Sequence, residues 1–310
     1  MRAMNCAPAS STSPDAGAQF IAPAPYTSQR GFTLLELVIA IAISSVVLAM
    51  MAMFLATPMQ TYLAQNRRSE LAYAVDSVQR MLAEDVRNAL PNSLRTRRNG
   101  RVVVMEMLEV IDSARYRVAG SAGDAARELE FTAADTQFDT LGRFRSLTPP
   151  YTTNTGYLVV NHLGVGGANA YALTNVITPA GTTIGIVAGA TPGEHHVNVT
   201  PGFRFIAVSP TQRVFLVSGP VAYLCDERAR TLVRYSGYSM AGSLNARDSA
   251  AELLAAGASA STVAGNIDSC AATIASGLPG QSDLLGMSIQ FVSGDDRLRL
   301  FRQFAVAVLP

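Results

Sequence analysis

Between Phe32 and Ala56 the chain runs for 25 residues with a single charge, Glu36. As an α-helix rising 1.5 Å per residue this stretch is about 37 Å long, enough to cross a bilayer with some tilt. A secretory signal peptide has a shorter apolar core, roughly 7 to 15 residues, with a small-x-small cleavage site behind it. The sequence LATPMQ that follows this run carries no clear site of that kind. The segment therefore reads as a membrane helix. Flanking charges do not orient it, because Arg2 and Arg30 precede it while Arg67 and Arg68 follow within counting range. An ionised carboxylate in such a segment costs on the order of a few kcal/mol, so Glu36 marks a functional site with a partner unless a headgroup layer keeps it hydrated.

The chain has 310 residues, room for one large domain or two small ones. Apolar residues make up 49% and charged ones 15%, which leaves a surface built from Ala, Ser, Thr and Gly more than from ion pairs. A net charge of +1 offers no general attraction to nucleic acid, and none is expected as a partner. Every Lys+Arg position is Arg, which removes a Schiff-base lysine and a phosphate-loop lysine together. Of the three cysteines, Cys6 precedes the apolar run and Cys225 and Cys270 follow it. If the C-terminal part faces an oxidising space, Cys225 and Cys270 are the one possible pair; the alternative is two buried thiols. A bridge between them closes a loop of about 45 residues, which in the chain-entropy model stabilises the fold by about 4 kcal/mol.

Residues 1–30 are rich in Ala, Ser and Pro without periodicity, as a disordered leader would be. After Pro58, where any kink is expected, apolar residues at Leu63, Leu71, Val75, Val78, Leu82, Val86 and Leu90 recur at spacings mostly of three and four. That pattern predicts an amphipathic helix that leaves the membrane, covers a sheet with one face and ends at Pro91. Beyond it the sequence turns to strands: RVVVMEMLEV, ARYRV, ELEFT, FRFIAVS, RVFLVS, VAYLC and RTLVRYS. GMSIQFV and RLRLFRQFAVAVL, joined by SGDD, predict a closing hairpin. A long helix followed by an antiparallel sheet is an α+β arrangement. The domain reading is a leader over 1–31, a membrane or fibre-core helix over 32–56, its amphipathic continuation over 57–91, and a β-rich globular domain over 92–310. Within the last, residues 238–270 form an Ala/Ser/Gly-rich insertion with one short helical candidate, SAAELLAAG.

Candidate chemistry is sparse. HLGVGGANAY from His162 lacks the G-x-G-x-x-G spacing and a following helix, and reads as a glycine-rich surface loop. His195 and His196 are adjacent, so on a strand they point to opposite faces and cannot easily share a metal; solvated loop histidines are expected. SGDDR has too few alternating oxygen ligands for calcium. No nucleophile motif frames any serine. We expect no catalytic residue, metal or cofactor, and no enzyme.

RGFTLLELVIAIAI resembles the signal at the start of type IV pilins, minor pilins and type II secretion pseudopilins: a basic residue, Gly, Phe, an acid five residues into the mature chain, and an apolar helix. The resemblance implies a pilin-like fold and processing by a prepilin peptidase between Gly31 and Phe32, with N-methylation of Phe32. It further implies an inner-membrane precursor with a periplasmic globular domain, packing against other pilin subunits through the N-terminal helix, and an assembly role for Glu36. Patches at RMLAEDVRNALPNSLR, VAYLCDERARTLVRYSGY, Cys270 and the C-terminal strand pair are similar to a minor pilin of mannose-sensitive haemagglutinin (MSHA) pilus biogenesis. A secretion pseudopilin and a tip adhesin recognising a surface or glycan through residues 135–200 are the alternatives.

Overall fold

The computed structural model describes residues 31–118, 127–275 and 283–306, apart from the side chains of residues 55–58 and 60. The leader, Cys6 and the last residues up to Pro310 lie outside that set, and so does the side chain of Pro58 on which the expected kink rests. The chain falls into two compact units, divided after Met59. A single helical assignment, α1 (Leu34–Arg87), runs through that point.

The strands are β1 (Arg95–Asn99), β2 (Val102–Tyr116), β3 (Asp135–Leu141), β4 (Tyr151–Thr153), β5 (Tyr157–Val160), β6 (Thr183–Ala188), β7 (His195–Phe203), β8 (Arg213–Asp226) and β9 (Thr231–Ser236). After a short helix, α2 (Ala250–Ala255), come β10 (Ser259–Ala264), β11 (Ile267–Ala275), β12 (Leu284–Ser293) and β13 (Asp296–Ala305). All pairings are antiparallel. The large sheet runs β10-β9-β8-β2-β3-β7-β6-β4, with β1 added to β2 and β5 to β8, and the small one runs β11-β12-β13. The α+β reading holds: an apolar helix is followed by a large antiparallel domain.

The spine is the β2–β8 ribbon, registered from Val102 opposite Asp226 to Arg115 opposite Arg213. Because side chains alternate along a strand, β2 feeds two cores at once. Val103, Met105 and Met107 join Leu71, Val78, Leu82 and Val86 of α1. Val104 points the other way, into a cluster with Leu224, Tyr238, Leu244 and Leu253 of α2. Both faces are covered, so β2 reads as a continuous apolar run instead of an alternating one. The α1 stripe matches expectation at Leu71, Val78, Leu82 and Val86, whereas Leu63 is exposed.

Several strand expectations need correction. RVVVMEMLEV and ARYRV are one strand, β2, interrupted by a register shift between Glu109 and Asp112. RVFLVS and VAYLC are likewise one strand, β8; Gly219 with φ +140° lets the chain pass without breaking the ladder. ELEFT is irregular, held by Leu129 N–H donating to the Arg117 carbonyl instead of by a ladder. FRFIAVS contributes only Phe203 to β7 and then loops away. SGDD is the expected turn, at Gly294 and Asp295 between β12 and β13. The short helix in SAAELLAAG is α2, with Ser249 as its N-cap: Ser249 Oγ accepts from Glu252 N–H at 3.3 Å.

The α1 stripe sets the strength of the domain. Leu82→Ala should lower stability by about 2–5 kcal/mol, the range for a buried leucine. Leu254→Ala, at a side chain 54% exposed, should change it by less than about 0.5 kcal/mol. Urea unfolding followed by circular dichroism compares them, and equal effects would contradict the packing described.

Candidate functional site

The N-terminal segment is built from Thr33 onward. Thr33 Oγ1 accepts the Glu36 N–H at 3.2 Å, and the Thr33 carbonyl accepts the Leu37 N–H at 3.1 Å, so Thr33 caps α1. Glu36 therefore occupies the first turn, where a carboxylate complements the positive end of the helix dipole. The T-x-x-E spacing of a capping box was present in the sequence and was missed there. Among the described residues the Glu36 carboxylate makes no hydrogen bond or ion pair.

From Leu34 to Phe54 the helix has a mean hydropathy of 2.7 and none of it is buried. Phe32, Leu34 and Phe54 are each about four-fifths exposed. A helix apolar on all sides belongs in a membrane or among similar helices. At Gly31, directly before Phe32, an added Cβ would meet nothing within 4 Å. The glycine is not required by packing within this chain.

The second feature is the disulfide. Cys225 of β8 and Cys270 of β11 are bonded, with Cα atoms 6.6 Å apart. The bridge staples the large sheet to the small one. Around it, Arg98 pairs with Glu227 at 3.1 Å and donates to the Cys270 carbonyl, while Cys270 N–H donates to Glu227 at 3.3 Å.

Polar side chains fix the amphipathic half of α1 to the sheet. Asp85 accepts from Arg234 Nε at 2.6 Å and from the Tyr223 hydroxyl, and Arg234 reaches on to Glu109 at 3.4 Å. Burial, and then Asp85, push the Tyr223 hydroxyl well above its ordinary range. On the opposite face of β2, Glu106 is fully buried; it pairs with Arg95 and accepts from the Tyr238 hydroxyl at 2.7 Å. The Arg95 guanidinium lies 3.6 Å from the Tyr171 ring centre.

The histidines are not solvated loop residues. His195 is buried on β7, its Nδ1 accepting from Phe144 N–H at 3.2 Å. His196 points elsewhere, its Nδ1 2.6 Å from Asp139 Oδ1. His162 is buried at the start of the glycine-rich stretch, where Nδ1 accepts from Ala170 N–H at 3.1 Å and Nε2 lies 3.1 Å from the Asn92 carbonyl. The residues after it, Leu163 to Gly167, form the expected exposed loop. Among the described residues no group of three or more His, Cys, Asp or Glu side chains is placed to hold a metal.

A family model, the prokaryotic N-terminal methylation motif, matches residues 26–52. No curated protein and no solved structure gives a significant match. The chain thus carries a type IV pilin-like prepilin signal. Such a signal implies processing by a prepilin peptidase and a membrane-embedded N-terminal helix.

Reducing the Cys225–Cys270 bridge, or replacing both cysteines by alanine, should lower stability by about 2–4 kcal/mol while leaving the secondary structure intact. Urea midpoints with and without reductant measure this, and equal midpoints would refute it. Burial, set against hydrogen bonds to the backbone, holds His162 at a pKa of about 4, below the 6.5 of a free histidine. The folded protein therefore binds fewer protons than the unfolded chain between those values. The His162 contribution is complete above pH 6.5 and is lost as pH falls toward 4, by about 3 kcal/mol in all. His162→Gln should flatten stability-versus-pH in that window, and an unchanged slope would show that another group titrates there.

Proposed function

We propose that this chain is a minor pilin, a prepilin peptidase substrate that acts in assembly or initiation of a type IV pilus of the MSHA type, similar to the MSHA biogenesis protein MshO. The observation that carries the reading is the pairing of a prepilin signal with a fully exposed apolar helix whose one acid, Glu36, has no side-chain partner among the described residues. Cleavage between Gly31 and Phe32 releases an α-ammonium group, N-methylated in such proteins, with an unperturbed pKa of roughly 7.7 to 8.0. In a bundle of such helices the ammonium of one subunit neutralises Glu36 of the next, so the two desolvation costs offset each other. The open backbone at Gly31 suits a protease that must approach the main chain.

On this reading the precursor sits in the inner membrane with its globular domain in the periplasm. The Cys225–Cys270 bridge supports that placement, since disulfides persist in oxidising compartments. The work of the protein is structural, not enzymatic, and its partners are the peptidase, the membrane and other pilin subunits.

N-terminal sequencing of the mature protein should begin at Phe32; an intact leader would sink the proposal. Gly31→Phe should block processing. Glu36→Ala should be processed within about twofold of wild type yet enter fibres about tenfold less well, the equivalent of ~1.4 kcal/mol. Normal incorporation in competition with wild type would remove the role given to Glu36.

A further inference from the structure

Among the described residues eight arginines sit in ion pairs: Arg67 and Arg68 with Asp296, Arg80 with Asp76, Arg95 with Glu106, Arg97 with Asp248, Arg98 with Glu227, Arg117 with Glu194 and Arg234 with Asp85. Other described arginines are outside ion pairs and scattered, but one place gathers several of them. A cleft of about 350 Å³ lies where the C-terminal end of α1, the irregular part of β2, the loop after β3 and the start of β8 meet. Arg87, Arg115, Arg143, Arg145 and Arg213 line it, with Asp112 as the one carboxylate.

Asp112 does not neutralise them. Its carboxylate accepts three backbone N–H groups, from Ser113 at 2.7 Å, Ser146 at 2.6 Å and Leu147 at 3.2 Å, and none of the five arginines is within ion-pair distance of it. Its role is to hold the Arg143–Arg145 loop against β2. Arg115 donates to Gln212 at 2.9 Å and Arg213 to Ser113 at 3.3 Å, both neutral partners. Arg87, Arg143 and Arg145 have no partner among the described residues. Burial pulls the Arg213 guanidinium below its ordinary range, and Arg115 and Arg145 pull it further. Asp112 is 8% exposed, so the cleft has a fixed floor, while four of the five arginines are exposed at its walls.

Like charges gathered without counter-charges destabilise a folded protein unless something outside it compensates. Guanidinium forks match the oxygens of phosphate and carboxylate groups, two at a time, and the volume lies in the range of small-ligand sites. We propose that this cleft is a binding site for a multiply charged oxyanion, a compact ligand with at least two adjacent phosphate or carboxylate groups. The inference is independent of the pilin reading, since every residue that forms the cleft lies in the globular part.

The test is calorimetric titration of the purified full chain in detergent at low salt, with sodium tripolyphosphate, citrate and orthophosphate as separate probes. Saturable one-to-one binding of tripolyphosphate or citrate, at least about tenfold tighter than orthophosphate, is expected, and the stronger arm identifies phosphate or carboxylate as the natural group. Added salt should weaken it, as for any exposed ionic site. The Arg143→Ala/Arg145→Ala variant should bind at least about tenfold more weakly. It should unfold at the same temperature as wild type or higher, because relieving repulsion is the reverse of removing a structural contact. Arg228→Ala, an exposed arginine outside the cleft, should bind as wild type does. Absence of saturable binding to both polyanions, or binding that the double variant retains, overturns the proposal.

Discussion

The contact between one stripe of α1 and the β2–β8 ribbon organises the rest of the molecule. Leu71, Val78, Leu82 and Val86 are spaced to lie on one helical face, and Val103, Met105, Met107, Val221 and Tyr223 to lie on one strand face. Where those two periodicities meet, both lose water and the register of β2 on β8 is decided, because a one-residue slip would turn Met105 away and bring Glu106 in. Glu106 shows why that slip is forbidden. It is fully buried on the opposite face, where Arg95 and Tyr238 are placed to satisfy it. The small sheet then closes over the same core through Leu285, Met287, Ile289 and Phe291, and the disulfide joins the sheets at its edge.

The parts legible in the sequence are those where one periodicity dominates. The amphipathic stretch of α1 showed its 3.6-residue repeat, and the β2, β8 and β12 runs showed dense apolar content. What was hidden depends on partners far along the chain. β10 (SASTVA) and much of β11 are rich in Ala and Ser, with little apolar alternation to announce them; they are strands because β9 and β12 offer free edges. ELEFT has strand composition but joins no ladder among the described residues, its Leu129 N–H reaching the Arg117 carbonyl instead. Gly219 resembled a break and is instead a hinge inside β8, since its φ of +140° is open to glycine and closed to most other residues.

Site residues divided in the same way. Gly31, Phe32 and Glu36 could be marked because the signal is local: identity and spacing within six positions carry it. Cys225 and Cys270 could be paired by elimination once the apolar run separated them from Cys6. The arginine cleft could not be marked at all. Its members come from four elements at positions 87, 115, 143, 145 and 213, and a net charge of +1 conceals them. Whole-chain charge excludes a broad basic surface, but it is silent about five guanidinium groups focused on one hollow.

Glu36 has a local and a remote explanation, and they are not rivals. Locally, it sits in the first turn of α1 under the Thr33 cap, where the helix end favours any carboxylate. That favour is worth roughly 0.3–1 kcal/mol at an exposed site. Carrying an ionised side chain into an apolar phase costs on the order of 2.5–3.5 kcal/mol. The helix end therefore cannot by itself account for an acid in a segment that is otherwise hydrocarbon throughout. On the proposed reading the difference comes from outside the described residues of this chain, from the α-ammonium group that cleavage ahead of Phe32 would supply at the tip of a neighbouring subunit. That proposal couples processing to packing: an uncut precursor would keep the charge penalty of Glu36 and lack the group that relieves it in a neighbour.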